Sequence, residues 1–266
     1  MEFFHNRNRK YINYSGDFMF LNIQDNKINY KVSGVGPPLI FLHGWGRNLN
    51  DFDKVTNQIN DDFTVYQLDL PGFGESSINR SLSVEKYADI INEFCLSLAI
   101  NSPIIIGHSF GGRVAIMYAS KYEVDKLVLI ASPGIKQHFN LIKYLKIKSY
   151  KLLKKMNIKL NFGSKDYKNS SPILKETLVK AVNLDLTNYA LKINAPTLLI
   201  YGEKDKHVPL YIAERLNKLI KNSALITIPK CGHFPFIEKY RHFLIVLKFV
   251  LLFLCELTLL LFLYHH

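Results

Sequence analysis

The chain has 266 residues, enough for one large domain with an inserted subdomain and a sizeable core. Its 48% hydrophobic and 21% charged residues are ordinary for a globular protein. The three cysteines, Cys95, Cys231 and Cys255, are odd in number and widely spaced, which excludes a disulfide framework and a zinc pattern and fits a reducing, cytoplasmic setting. The formal charge of +12 is concentrated: residues 136–168 hold ten Lys and one acid, Asp166.

Residues 1–17 read as a polar arm without the apolar stretch of a secretory signal. Two short strands, 18–23 and 27–32, flank a Gln-Asp-Asn turn and predict a hairpin. Apolar runs at 38–42 and 64–68 each end in a Gly-rich turn. From there strands and helices alternate. Residues 84–98 have helical apolar spacing with Ser81 or Ser83 as N-cap, 104–106 is a buried-strand run, and 113–122 is helical. Strands follow at 126–130 and 197–201, a helix at 210–220 and a last strand at 224–228. Continuous apolar strands alternating with helices predict an α/β fold: a mostly parallel, eight-stranded sheet with helices on both faces. The core is expected over 18–133 and 190–250. The Lys-rich, strandless stretch 134–189 is expected to be a helical cap inserted between two strands.

Gly107-His108-Ser109-Phe110-Gly111 fits the pattern G-x-S-x-G, preceded by a strand and followed at once by a helix. In that setting the serine is held in a strained turn with its hydroxyl clear of the sheet. Positions two before and two after it must be small, a need met by Gly107 and Gly111, with Gly112 beyond. The helix N-terminus favours negative charge developing at the site.

A serine hydroxyl needs a base. Of the nine histidines, His233 follows the last strand in Cys231-Gly232-His233-Phe234-Pro235 and is the candidate. His108 sits on the elbow itself, and His43 belongs to a His-Gly turn and reads as structural. The acid that orients the base is assigned to Asp205, in Gly202-Glu203-Lys204-Asp205 after another strand, with Glu203 and His207 as neighbouring competitors. The chain order Ser109, Asp205, His233 is that of the nucleophile-elbow hydrolases.

On these motifs, together with His43-Gly44-Trp45-Gly46 and Asp69-Leu70-Pro71-Gly72-Phe73-Gly74-Glu75-Ser76, the chain resembles the α/β-hydrolase superfamily, in particular its small capped serine esterases and lipase-like members. The likeness spans residues 18–239. It implies an oxyanion hole made by the backbone N–H groups of Trp45 and Phe110, Gly44 as a motif glycine, and a structural role for the 69–76 turn. Dehalogenases and epoxide hydrolases of the superfamily use an Asp nucleophile, so Ser109 disfavours them.

Residues 141–160 form a basic amphipathic pattern. Such a helix can lie on an anionic membrane or steer an anionic substrate; a lid helix with its lysines in water is the plainer reading. No nucleic-acid motif accompanies the charge. The C-terminal stretch 243–266 departs from the family pattern. Residues 243–263 are almost wholly apolar and would span about 30 Å as a helix, so a membrane tail anchor competes with a packed last core helix and with a dimer contact. The expected activity is cleavage of carboxylic esters of a small to medium apolar substrate through an acyl-enzyme, with no metal or organic cofactor. A carbon–carbon bond hydrolase or a cofactor-free perhydrolase on the same triad, and a ligand receptor on the same fold, are the alternatives.

Overall fold

The computed structural model describes residues 18–135 and 165–253. The arm at 1–17, the 141–160 pattern and residues 254–266 of the apolar tail lie outside them. Eight strands form one sheet: β1 (Met19–Ile23), β2 (Asn26–Ser33), β3 (Pro38–Leu42), β4 (Thr64–Leu68), β5 (Ile104–His108), β6 (Leu127–Ile130), β7 (Thr197–Gly202) and β8 (Ser223–Ile228). Their spatial order is β1-β2-β4-β3-β5-β6-β7-β8. β1 and β2 pair antiparallel, as do β2 and β4; the other pairs are parallel. The predicted hairpin closes tighter than expected. Ile23 pairs with Asn26, so only Gln24 and Asp25 turn the chain, with Gln24 at φ 51°.

The helices are α1 (Asp53–Thr56), α2 (Val84–Ser97), α3 (Phe110–Ala119), α4 (Lys165–Asn169), α5 (Pro172–Asn183), α6 (Thr187–Ala190), α7 (Leu210–Leu219), α8 (Pro235–Glu238) and α9 (Tyr240–Phe253). Ser83 is the N-cap of α2, its Oγ accepting from Lys86 N at 3.2 Å. Ser171 caps α5 in the same way, with Pro172 opening the helix.

Successive residues of the central strands enter opposite cores. Ile40 and Leu42 face the layer of α2, α3 and α7, whereas Leu39 and Phe41 face α8, α9 and Phe52. Burial on both faces is why these strands read as unbroken apolar runs. α9 places Phe243, Val246, Leu247, Val250 and Leu251 against the second face, at helical spacing. Each such side chain contributes about 1.5–3 kcal/mol of burial. As far as Phe253 the tail is thus the packed last helix. Among the described residues no helix is long and apolar enough to cross a membrane.

Between β6 and β7 the described elements are the helices α4, α5 and α6. α5 rests on the 71–82 loop: Thr177 Oγ1 accepts from Leu82 N at 3.1 Å, and Lys180 Nζ donates to Ser81 Oγ at 2.7 Å. The strand order reverses between β3 and β5. In open parallel sheets ligands bind beyond the carboxyl ends of strands at such a switch point, and the loops that leave it here carry Trp45 and Ser109.

Candidate active site

Ser109 stands alone between the end of β5 and the start of α3, at φ 50° and ψ −110°. This is a sparsely populated conformation for a residue with a side chain, and the surroundings hold it. Ser109 N donates to Ile130 O at 2.9 Å, and Ser109 O accepts from Gly112 N at 3.0 Å and Arg113 N at 3.2 Å. The glycines are required by contact. A Cβ on Gly107 would lie 2.6 Å from Gly111 O, one on Gly111 2.2 Å from Leu42 O, and one on Gly112 1.8 Å from Ser132 Oγ. The helix begins at Phe110, three residues before the predicted start, because tertiary packing at the elbow overrides the poor helix propensity of Gly111 and Gly112.

His233 Nε2 lies 3.1 Å from Ser109 Oγ, and His233 Nδ1 lies 2.7 Å from Asp205 Oδ2. Asp205 carries no exposed side-chain surface and His233 only 11%. The other carboxylate oxygen, Asp205 Oδ1, accepts from His207 N at 2.7 Å and Val208 N at 2.9 Å. Burial works against the charge on Asp205, but the bonds from His233, Val208 and His207 outweigh it and hold the carboxyl below the ordinary Asp value. Of the competitors, Glu203 is occupied at Lys230 N, 2.8 Å away, and the His207 ring lies tilted against that of His233 with centroids 4.9 Å apart.

Trp45 and Phe110 lie side by side across the switch point, ring centroids 5.0 Å apart and edge-on. Phe73 and Tyr87 complete the aromatic set, at 4.9 Å from Trp45 and 5.1 Å from Phe110. Phe110 is the first helical residue, so its N–H has no partner within the helix. Gly44 lies beneath this loop, where a Cβ would come 2.8 Å from His108 Nδ1. His43 is buried; its Nδ1–H donates to Gly44 O at 2.7 Å and its Nε2 accepts from Leu70 N at 3.0 Å. Burial keeps that imidazole below the ordinary His value, so it serves as a neutral strut. The Asp69 carboxylate gathers Leu49 N, Asn29 Nδ2 and Glu75 N at 2.7, 2.8 and 2.9 Å, and shapes the 69–76 turn as expected.

The sequence matches the α/β hydrolase fold family over residues 37–150 and 143–240. The chain belongs to the α/β-hydrolase family. It is 30% identical to the pimeloyl-[acyl-carrier protein] methyl ester esterase of Wigglesworthia glossinidia brevipalpis, over 79% of this chain and 92% of that one. A putative lipase of Acinetobacter baumannii AYE superposes with a TM-score of 0.73 at 24% identity, over 90% of this chain and 92% of the other. A meta-cleavage product hydrolase of Pseudomonas fluorescens IP01 superposes at 0.66 with 23% identity, over 84% and 93%. At these identities the structural likenesses establish the hydrolase fold alone.

Glu238 and Arg113 escaped the sequence reading, which also set His108 aside. Glu238 Oε2 accepts from Gly232 N at 2.7 Å and Oε1 from Phe234 N at 3.0 Å, bracketing His233. His108 Nε2 lies 3.0 Å from the His233 carbonyl oxygen. Buried Arg113 donates from Nη1 to Leu184 O at 3.1 Å, tying α3 to the segment after α5, and burial lowers its guanidinium to about 10. Glu238 follows His233 by five residues in a short Pro-led helix, which is the one signal that could have revealed it.

Proposed function

We propose that the chain is a carboxylic ester hydrolase working through an acyl-enzyme, with Ser109 as nucleophile, His233 as general base and acid, and Asp205 as the group that fixes the imidazole. The observation that carries this reading is the unbroken Ser109–His233–Asp205 hydrogen-bond chain, at 3.1 and 2.7 Å, on a strained elbow. Asp205 accepts the Nδ1 proton, so Nε2 presents its lone pair to the Ser109 hydroxyl. As Ser109 Oγ bonds to the ester carbonyl carbon, His233 takes its proton. The carbonyl oxygen becomes an oxyanion between the N–H groups of Trp45 and Phe110, each such donor being worth about 3–4 kcal/mol of barrier. Collapse expels the alcohol, which leaves with the proton from His233. Water then repeats the sequence on the acyl-enzyme and releases the acid and free Ser109.

We read 18–133 with 190–250 as the catalytic core and 134–189 as the cap that shapes the acyl pocket; the seat of α5 on the 71–82 loop supports this. An apolar acyl chain suits the aromatic surroundings of the proposed oxyanion hole, where Trp45 packs edge-on against Phe110. The lysine surplus of 136–168 would favour an anionic substrate, or an acyl group on an anionic carrier, through long-range attraction. The esterase relative from Wigglesworthia, whose name specifies a carrier-linked methyl ester, fits that direction.

The test is hydrolysis of p-nitrophenyl esters of graded chain length by the wild type and by Ser109→Ala. Turnover that the substitution lowers at least a thousandfold, with fluorophosphonate labelling of Ser109, supports the reading. Absence of both turnover and labelling in the wild type overturns it in favour of a ligand receptor.

A further inference from the structure

Resting on the acyl-enzyme reading, we propose that His108 is a positioning residue for the base: its Nε2–H holds one end of the His233–Phe234 peptide, the other end of which is held by Glu238. The carbonyl oxygen of His233 and the N–H of Phe234 belong to one planar unit. His108 Nε2 meets that oxygen at 3.0 Å, and Glu238 Oε1 receives that N–H at 3.0 Å. A plane attached to the His233 Cα and fixed at both ends cannot rotate about the adjoining backbone bonds. The imidazole is therefore aimed before substrate arrives.

The surroundings of His108 fit this role better than a packing role. The ring sits 5.0 Å from His233, 5.1 Å from Phe234 and 5.0 Å from Phe236, in an apolar site with 1% exposure. An apolar residue would fill such a site at lower cost, because Nδ1 is buried and finds no partner among the described residues. The bond made by Nε2 is the interaction that offsets leaving Nδ1 unsatisfied. Burial, and then the nearby His233, push the His108 imidazole down to about 3. It therefore stays neutral while His233 gains and loses its proton. The carbonyl only accepts, so the single proton of His108 lies on Nε2. His108 is also the residue before Ser109, so one bond sets nucleophile and base relative to each other.

The experiment compares His108→Met with His108→Gln. The two side chains have the same length, but only Gln carries a donor at the Nε2 position. A misplacement near 1 Å of a reacting group costs up to about 100-fold in rate. For the Met variant kcat is expected to fall about 10- to 100-fold with KM changed less than about threefold, and for Gln most of kcat returns. Glu238→Ala, at the exposed end of the same peptide, should lower kcat in the same way. The downfield proton resonance of the His233–Asp205 bond, assigned by its loss in His233→Ala, should shift or broaden in the Met variant and persist in the Gln variant.

Equal kcat in the wild type and the Met variant, or equal losses in Met and Gln variants that melt alike, would overturn the positioning role. So would an unmoved resonance in the Met variant. The resonance needs no turnover, so it judges the clamp even if Ser109→Ala shows the acyl-enzyme reading to be wrong.

Discussion

Asp205→Asn isolates the tautomer of His233. In the wild type, Asp205 Oδ1 accepts from His207 N at 2.7 Å and Val208 N at 2.9 Å, while Oδ2 faces His233 Nδ1 at 2.7 Å. In the variant those two amides demand an acceptor, so the amide oxygen must take the Oδ1 position. The NH2 group is then turned towards Nδ1. It can only donate, so His233 must offer its lone pair at Nδ1 and carry its proton on Nε2. Nε2, 3.1 Å from Ser109 Oγ, then cannot accept the hydroxyl proton. The same exchange in a serine protease costs about 10⁴-fold in kcat, which at 1.36 kcal/mol per tenfold is about 5.4 kcal/mol of barrier. The fold is expected to survive, because the shape is unchanged and the loss is about 1–3 kcal/mol from one charge-assisted bond. The assay is kcat for p-nitrophenyl butyrate hydrolysis, with thermal melting as the control. Activity within tenfold of wild type would refute the tautomer argument.

The glycines and the buried histidines give two more. Gly111→Ala should destabilise by about 3 kcal/mol or more, because its Cβ would press to 2.2 Å on the Leu42 carbonyl and strain the Gly111 N to His43 O bond; Gly46→Ala, with open space around it, should cost about 1 kcal/mol from its positive φ alone. Urea melts of both variants decide this, and equal losses would contradict the contact argument. Stability should also fall on acidification from pH 6 to 4. His43 and His108 are both lowered by burial, His108 to about 3, so below the ordinary His value of 6.5 the unfolded chain binds protons that the native state refuses. His108 contributes a slope of up to about 1.4 kcal/mol per pH unit and His43 adds to it in the same direction, stability rising with pH. His108→Gln should remove one proton's worth of that slope, and an unchanged slope would show that His108 is charged in the native state.

The fold was legible where burial is two-sided or strongly one-sided. β5 and β7 have every residue buried and stand out as apolar runs, and α2 shows its stripe and its serine cap. β8 alternates between buried and partly exposed residues at the edge of the sheet, which accounts for its blurred first residue. The turn of 3₁₀ helix at Leu49–Phe52 and the short α1 and α8 went unseen, since four-residue helices carry no periodicity and depend on caps such as the Asn48 side chain on Asn50 N. At the site, Ser109, Asp205 and His233 were legible because each sits at a strand end in a short local pattern. The His108 bond joins positions 125 residues apart through a backbone oxygen, and no side-chain pattern encodes that.

The same contrast explains how the site is held. The three side chains of the proposed triad sit on loops, the least constrained parts of a fold, yet each loop is tied to another strand end through a backbone group. Gly111 N donates to His43 O, and Ser109 N to Ile130 O. Leu70 N donates to the His43 ring, Glu203 N to Ile228 O, and His108 to the His233 carbonyl. The strand ends β3, β4, β5, β6, β7 and β8 thereby form one hydrogen-bonded rim around the switch point. A neutral bond of this kind adds only about 0.5–1.5 kcal/mol to stability, whereas a reacting group displaced by 1 Å costs about 100-fold in rate. If the proposed triad is the catalytic one, substitutions along the rim should therefore reduce kcat by a larger factor than their effect on unfolding would suggest, because the rim acts chiefly by fixing angles.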